Sequence, residues 1–245
     1  MSLKSNTNLL EDLLAEAKAM PTADTVYNSG YGVGLKEGYD KGVAETEAKT
    51  FWTKYMGNCS TLFKGAVFPP DTELVFELPP IHNSFLEMFQ DTKNVVSVKL
   101  IGTSSRATCN AQAMFRYNSH IKKVDLSECY FPFSDWYMAF SNCYALEEII
   151  GELKDIGTYA NNFTSTFGSC SKLKEVRFAK DAIFNSVSFA NCSKLSDASI
   201  QSIIDGLKDL TGASAKTIIF HADVGGKLTD EQKTAISAKN WTLAY

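Results

Sequence analysis

The chain has 245 residues, of which 44% are hydrophobic and 21% charged, with a formal net charge of −4. That is enough apolar material for one large domain or a repeat array. The mildly acidic balance argues against a dedicated nucleic-acid binder, which would carry a basic face. No apolar run approaches the roughly 20 residues that cross a bilayer, so no membrane insertion is expected. The first residues, MSLKSNTNLLEDLLAEAKAM, place acids inside their apolar stretch and do not read as a secretory leader.

Thr7 or Asn8 can cap a helix that runs to Met20 and presents Leu9, Leu10, Leu13, Leu14 and Ala17 on one side, with Pro21 ending it. Further on, Gly30, Gly34, Gly38 and Gly42 recur every four residues, as do Tyr27, Tyr31, Leu35, Tyr39 and Val43. On a helix each series forms a narrow stripe. Interior glycines cost about 1 kcal/mol each against alanine, so such a helix needs a closely packed partner. Residues 1–56 are therefore read as a helical oligomerisation or attachment segment, with Gly30, Gly34, Gly38, Gly42, Tyr31 and Tyr39 at the contact. A flexible glycine-rich linker is the alternative.

From residue 57 to 195 the chain repeats. Five heptamers align without gaps: FQDTKNV from Phe89, FRYNSHI from Phe115, FSNCYAL from Phe140, FGSCSKL from Phe167 and FANCSKL from Phe189, at intervals of 26, 25, 27 and 22 residues. Six residues past each phenylalanine stands an aliphatic residue: Val95, Ile121, Leu146, Leu173 and Leu195. Nine past it stand Val98, Val124, Ile149 and Val176, with Ala198 breaking the series; eleven past it stand Leu100, Leu126 and Phe178, with Gly151 as the exception. The last two columns have period two, as in a strand with one buried face. A single strand cannot bury that face alone, whereas stacked coils can. Phe89, Phe115, Phe140, Phe167 and Phe189, with Ile121, Leu146, Leu173 and Leu195, are the predicted repeat core.

Three residues past the phenylalanine stand Thr92, Asn118, Cys143, Cys170 and Cys192. Free cysteine behaves as a small buried hydrophobe, so this column is expected to be a stack of buried, unpaired small residues. A disulfide between neighbouring coils is the alternative. None of the six cysteines forms a Cys-x-x-Cys pair, and no metal or redox motif is predicted.

AFSNCYALEEI, TFGSCSKLKEV and SFANCSKL resemble the unit of the BspA-like leucine-rich repeats, found in bacterial surface and phage proteins. The resemblance covers residues 85–200 and implies an α/β fold, a leucine-rich-repeat-type solenoid. The period is not constant here, and aromatic-rich insertions replace the usual short proline-containing segment.

Residues 196–245 read as a cap. SIQSIIDGLKDL carries Ile200, Ile203, Ile204, Leu207 and Leu210 at helical spacing, with Ser196 or Asp197 as N-cap. A strand is expected at about residues 216–221. A second helix should begin at the capping box of Thr229 and Gln232, and WTLAY closes as a short strand. Such a helix-strand-helix-strand unit would cover the open end of a solenoid.

The leader's Gly38-Tyr39-Asp40-Lys41-Gly42, Phe51-Trp52 and the ending from Leu228 to Tyr245 look similar to tail-associated structural proteins of phages that infect gut Firmicutes. This resemblance implies a virion protein of tail-fibre or baseplate type. It would attach to other virion proteins through residues 1–56, with a homotrimer favoured, and display its repeats to a host-surface glycan or protein. A structural adaptor or head or tail decoration subunit, and a bacterial cell-surface adhesin, are the alternatives.

Residues that could carry catalysis are sparse. His82, His120 and His221 fit no metal-ligand spacing, and there is no nucleophile elbow or phosphate-binding loop. Asp71, Glu73 and Glu77 could serve as glycosidase carboxylates, but any acidic chain offers such pairs. No enzyme activity, cofactor or metal is expected. The segment Tyr130-Phe131-Pro132-Phe133-Ser134-Asp135-Trp136-Tyr137 holds five aromatics in eight residues. Trp136 precedes Phe140 by four residues, as Phe163 precedes Phe167, which places it in the core. Tyr130, Phe131, Phe133 and Tyr137 are the expected binding surface, since exposed aromatics suit sugar stacking or protein contact. A hydrophobic seam covered by a neighbouring subunit is the competing reading.

Overall fold

The computed structural model describes residues 50–54, 59–81, 84–104, 108–154 and 163–245. The glycine and tyrosine stripes of the leader lie outside the described residues. In each of the first four repeats the apolar-polar-apolar columns form a strand, as their period of two requires. Strands β1 (Thr50–Lys54), β2 (Val67–Glu77), β3 (Lys93–Thr103), β5 (Lys123–Tyr130), β7 (Glu148–Leu153) and β8 (Glu175–Phe178) make one parallel sheet in that order. A two-stranded sheet pairs β4 (Cys109–Asn110) with β6 (Phe133–Asp135), and a three-stranded one joins β9 (Val187–Phe189), β10 (Lys216–Phe220) and β11 (Trp241–Ala244). Among the described residues every strand pairing is parallel, and the fold is mixed α/β.

Strand register aligns the repeat columns. Leu74 pairs with Val98, Val98 with Val124 and Val124 with Ile149, and all four side chains are buried. The pairing of Leu74 and Phe76 with Val98 and Leu100 exposes a rung that the heptamer pattern misses. Its ring is Phe63. Its strand lies two residues further along than in the other rungs because β2 is bulged between Val67 and Glu73.

The phenylalanines stack face to face. Ring centroids of Phe63, Phe89, Phe115 and Phe140 follow one another at 5.3 Å, Phe167 continues at 6.0 Å, Phe189 at 4.8 Å and Phe220, from the cap, at 5.9 Å. All of these rings are buried, as are Ile121, Leu146, Leu173 and Leu195. Each buried ring contributes about 1.5–3 kcal/mol of hydrophobic stabilisation, so this column and the sheet's inner face are the core.

Opposite the sheet, a second backbone ladder joins the rungs. Two residues before and after the ring the chain is left-handed: Glu87 and Asp91, Ala113 and Tyr117, Met138 and Asn142, Ser165 and Ser169 all have φ between 52° and 65°. This alternation sends every other N–H to the next rung. Phe89 N donates to Met114 O at 2.8 Å, Phe115 N to Ala139 O at 2.8 Å and Phe140 N to Thr166 O at 3.1 Å. The left-handed conformation costs a non-glycine residue roughly 1–2 kcal/mol, offset here by a hydrogen bond at almost every step.

The column three residues past the ring is a stack of buried side chains: Thr92, Asn118, Cys143, Cys170 and Cys192. The three cysteines are free thiols, as expected. Gly151, the exception among the strand columns, has φ 91°, and a Cβ there would sit 2.9 Å from the carbonyl carbon of Leu126. The neighbouring strand approaches too closely for a side chain.

The fifth rung leaves the sheet. Ala198 falls in helix α1 (Asp197–Gly206), whose N-cap is Ser196. This helix closes the edge of β8 with hydroxyls: Ser199 Oγ accepts from Val176 N at 3.0 Å and donates to Lys174 O at 2.9 Å, and Ser202 Oγ accepts from Phe178 N at 2.9 Å. The rest follows the expected cap order. Strand β10 leads through a short additional helix, α2 (Ala222–Gly225), to α3 (Asp230–Ala238), which carries the full capping box, and then β11. One boundary is corrected. The expectation of a helical segment to residue 56 fails at Thr50–Lys54, where the β-prone run Thr-Phe-Trp-Thr is a strand paired parallel to β2.

Candidate functional site

The aromatic segment after β5 does not form the surface expected of it. Phe131 and Phe133 are buried, which corrects their assignment to a binding face; only Tyr130 is well exposed, at 69%, and Tyr137 is half-buried. The cause is a gap in the column four residues before each ring. Phe85, Trp136 and Phe163 fill it in their rungs, but Ala111 stands there in the rung of Phe115. Phe131 and Phe133 occupy that space, with ring centroids 5.4 and 5.8 Å from Phe85, and Phe133 reaches Trp136 at 5.1 Å. Trp136 is core, as predicted, and its Nε1 donates to Lys154 O at 2.9 Å.

Two exposed aromatics stand instead on the turn ridge, along the second backbone ladder. Tyr117 is 42% exposed and Tyr144 51%. The guanidinium of Arg116 lies over the Tyr117 ring, 4.4 Å from its centroid, and donates to the Tyr117 hydroxyl at 2.8 Å. Tyr144 donates its hydroxyl proton to Asn142 Oδ1 at 3.0 Å. Tyr117 N donates to Ser141 O at 2.9 Å, so the two tyrosines sit on adjacent rungs. The turn sequences that carry this ridge gave no periodic signal, because the left-handed position two past the ring is filled by Asp91, Tyr117, Asn142 and Ser169 in successive rungs.

Just inside the ridge, Gln90 Oε1 and Arg116 Nε are buried and meet no hydrogen-bond partner among the described residues. Both side chains stand one residue past their ring, on successive rungs, as a complementary acceptor and donor.

At the other end, the edge of the sheet and α1 bound an open groove of about 580 Å³, lined by Glu152, Arg177, Lys180, Gln201, Ser202 and Lys239 among others. Lys239 is committed to the end of α1, where its Nζ donates to the carbonyls of Ile204, Asp205 and Leu207 at 3.0, 3.2 and 2.7 Å. It thereby neutralises the negative end of the helix.

The acidic residues of β2 do not converge. Glu73 and Glu77 lie on one face of the strand, four residues and therefore about 13 Å apart, beyond the span of paired glycosidase carboxylates. Asp71 is exposed in the bulge with φ 59°. On the outward sheet face Lys99 pairs with Glu128 at 2.5 Å and Lys123 with Glu148 at 3.8 Å. His221 is the N-cap of α2, its Nδ1 accepting from Asp223 N at 3.2 Å, and His120 is exposed beside Ser119. His82 lies outside the described residues. Among the described residues no group of three or more His, Cys, Asp or Glu is placed to hold a metal ion, and no helix is long and apolar enough to cross a membrane.

No known protein family, curated protein or solved structure matches the chain.

Proposed function

We propose that the chain is a structural protein of a phage virion, of tail-fibre or baseplate type, and that its parallel-strand body is a BspA-like leucine-rich-repeat solenoid displayed for binding to the host surface. The observation that carries this reading is the repetition of one strand, one stacked ring and one pair of left-handed turn residues per rung, from Phe63 to Phe167. Such a rigid, elongating lattice offers a long ridge of side chains at fixed spacing, which suits recognition of an extended partner. The residues before β1 supply attachment to other virion proteins and assemble the chain as a homo-oligomer, a trimer. The protein acts by binding and carries out no catalysis.

Peptide mass spectrometry of purified particles from the phage that encodes the chain tests the location, and competition tests the role. Excess purified chain should slow adsorption of those particles to their host. Absence of the chain from the particles sinks the virion reading. Presence with no effect on adsorption removes the host-binding role and leaves a structural one. Sedimentation of the full chain against residues 48–245, which keep β1, tests the leader: the full chain should sediment as a trimer and the truncated form as a monomer.

A further inference from the structure

Tyr117 occupies a position that its neighbours fill differently. Two residues past the ring, the other rungs place Gly65, Asp91, Asn142 and Ser169, all left-handed. These are small or side-chain-bonding residues that adopt φ > 0 readily. Tyr117 adopts φ 65°, a conformation in which a bulky aromatic is an outlier. Its ring is not there for the core, being 42% exposed. The ladder imposes that conformation, as it does on Met138 at φ 57°, but it does not explain an exposed aromatic held in one orientation where the other rungs carry small or side-chain-bonding residues. The orientation is held twice over, by the Arg116 stack at 4.4 Å and by the bond from Arg116 Nη2 to the hydroxyl at 2.8 Å. Tyr144, on the next rung, is fixed by its own bond to Asn142 at 3.0 Å.

We infer that Arg116, Tyr117, Asn142 and Tyr144 form a saccharide-binding site on the turn ridge. The apolar C–H face of a sugar ring packs on an exposed tyrosine, and its hydroxyls need donors and acceptors at the ring's edge. Arg116 supplies donors, and Asn142, on the rung of Tyr144, an amide whose Oδ1 already accepts from the Tyr144 hydroxyl and whose Nδ2 donates to Ser141 Oγ at 3.3 Å. Tyr117 N donates to Ser141 O at 2.9 Å, which sets the Arg116–Tyr117 pair and the Asn142–Tyr144 pair on neighbouring rungs of one ridge. Because both aromatic side chains are already immobilised, binding costs little side-chain entropy. The inference deepens the host-surface reading and rests on it for the source of the saccharide.

The test uses the full chain titrated calorimetrically with tetrasaccharides of glucose, galactose, rhamnose and N-acetylglucosamine. At least one should bind, and Tyr117→Asn should weaken it by at least about tenfold. The same substitution should leave the melting temperature unchanged or raise it, since asparagine relieves the left-handed strain. A core-packing role for Tyr117 would instead lower it. Tyr144→Ala should also weaken binding, while Glu128→Ala, on the outward sheet face, should not. Failure of every tetrasaccharide to bind, or parental affinity in Tyr117→Asn, overturns the site. Host-cell binding by the chain that persists undiminished in Tyr117→Asn overturns it too, while leaving the host-surface reading intact. Loss of saccharide binding in that variant, with the chain absent from particles, keeps the site and discards the virion reading.

Discussion

The thiol of Cys143 donates to the carbonyl oxygen of Phe115, one rung back, at 3.0 Å. Cys170 repeats this contact with Phe140 at 3.1 Å and Cys192 reaches toward Phe167 at 3.8 Å, while in the preceding rung the Asn118 amide donates to Phe89 O at 2.6 Å. Asparagine and cysteine thus do one job in one column. Each offers a donor to a ring residue's carbonyl without filling more space than the turn allows.

Burial makes these thiols poor acids, pushing Cys143 and Cys192 from an ordinary 9.0 up to about 12 and Cys170 well above its ordinary value. The folded chain holds protons that the unfolded chain releases above pH 9.0, so this stability is whole below pH 9.0 and is lost as pH rises toward about 12. The loss should approach about 1.4 kcal/mol per pH unit per thiol. Urea midpoints measured from pH 8 to 11 should fall steeply, and the triple variant Cys143→Ser, Cys170→Ser, Cys192→Ser should flatten the slope. An unchanged slope in the triple variant would show that other groups carry the alkaline loss.

Phe115 lies within the ring column, with a neighbour at 5.3 Å on either face. Phe115→Ala should cost about 3–5 kcal/mol, and Phe115→Leu less, because leucine keeps part of the volume. Equilibrium unfolding in urea reads both. A cost below 1 kcal/mol for the alanine variant would mean that the column contributes little to stability.

Ser199 and Ser202 stand in for the strand that would follow β8, satisfying the N–H groups of Val176 and Phe178. Ser199→Ala leaves Val176 N and Lys174 O without these bonds and should cost about 1–3 kcal/mol. The double variant with Ser202→Ala should also loosen the helix from a sheet edge able to template pairing with another chain. Thermal melts combined with light scattering should show a lower melting point and earlier association. A double variant as stable and monodisperse as the parent would refute the edge-closing role.

Gly151→Ala meets two obstacles, a φ of 91° and a Cβ 2.9 Å from the Leu126 backbone. A loss of more than about 2 kcal/mol is expected, since neither obstacle is relieved without moving β5 from β7. Gly212, at φ 82° but with open space around it, provides the comparison: Gly212→Ala should be milder because only the conformational part applies. Equal losses at the two sites would show that the close approach contributes nothing.

The columns inside the stack were legible because burial writes a period into the sequence. Phe89 to Phe189, the aliphatic residues that follow them and the small column of Cys143 all read correctly. Phe63 did not, because the bulge in β2 moves its strand by two residues and breaks the spacing that revealed the others. Phe131 and Phe133 misled for a related reason. A hydrophobic insertion looks like surplus until the vacancy at Ala111 is seen, and that vacancy belongs to a different rung. The ridge of Arg116, Tyr117, Asn142 and Tyr144 was silent because its register comes from backbone handedness, which side-chain identity reports weakly.

The plug of Phe131 and Phe133 into the space left by Ala111 also makes the rungs unequal as units of inheritance. Where adjoining rungs share only rings, aliphatic side chains and backbone bonds, a whole rung can be gained or lost and the survivors meet through contacts of the same kind. The rungs of Phe89, Phe115 and Phe140 are keyed together: Phe131 and Phe133, which precede Phe140, reach past Ala111 to lie against Phe85 at 5.4 and 5.8 Å. Length variation in chains of this type should therefore fall outside these three rungs, which travel as a single block.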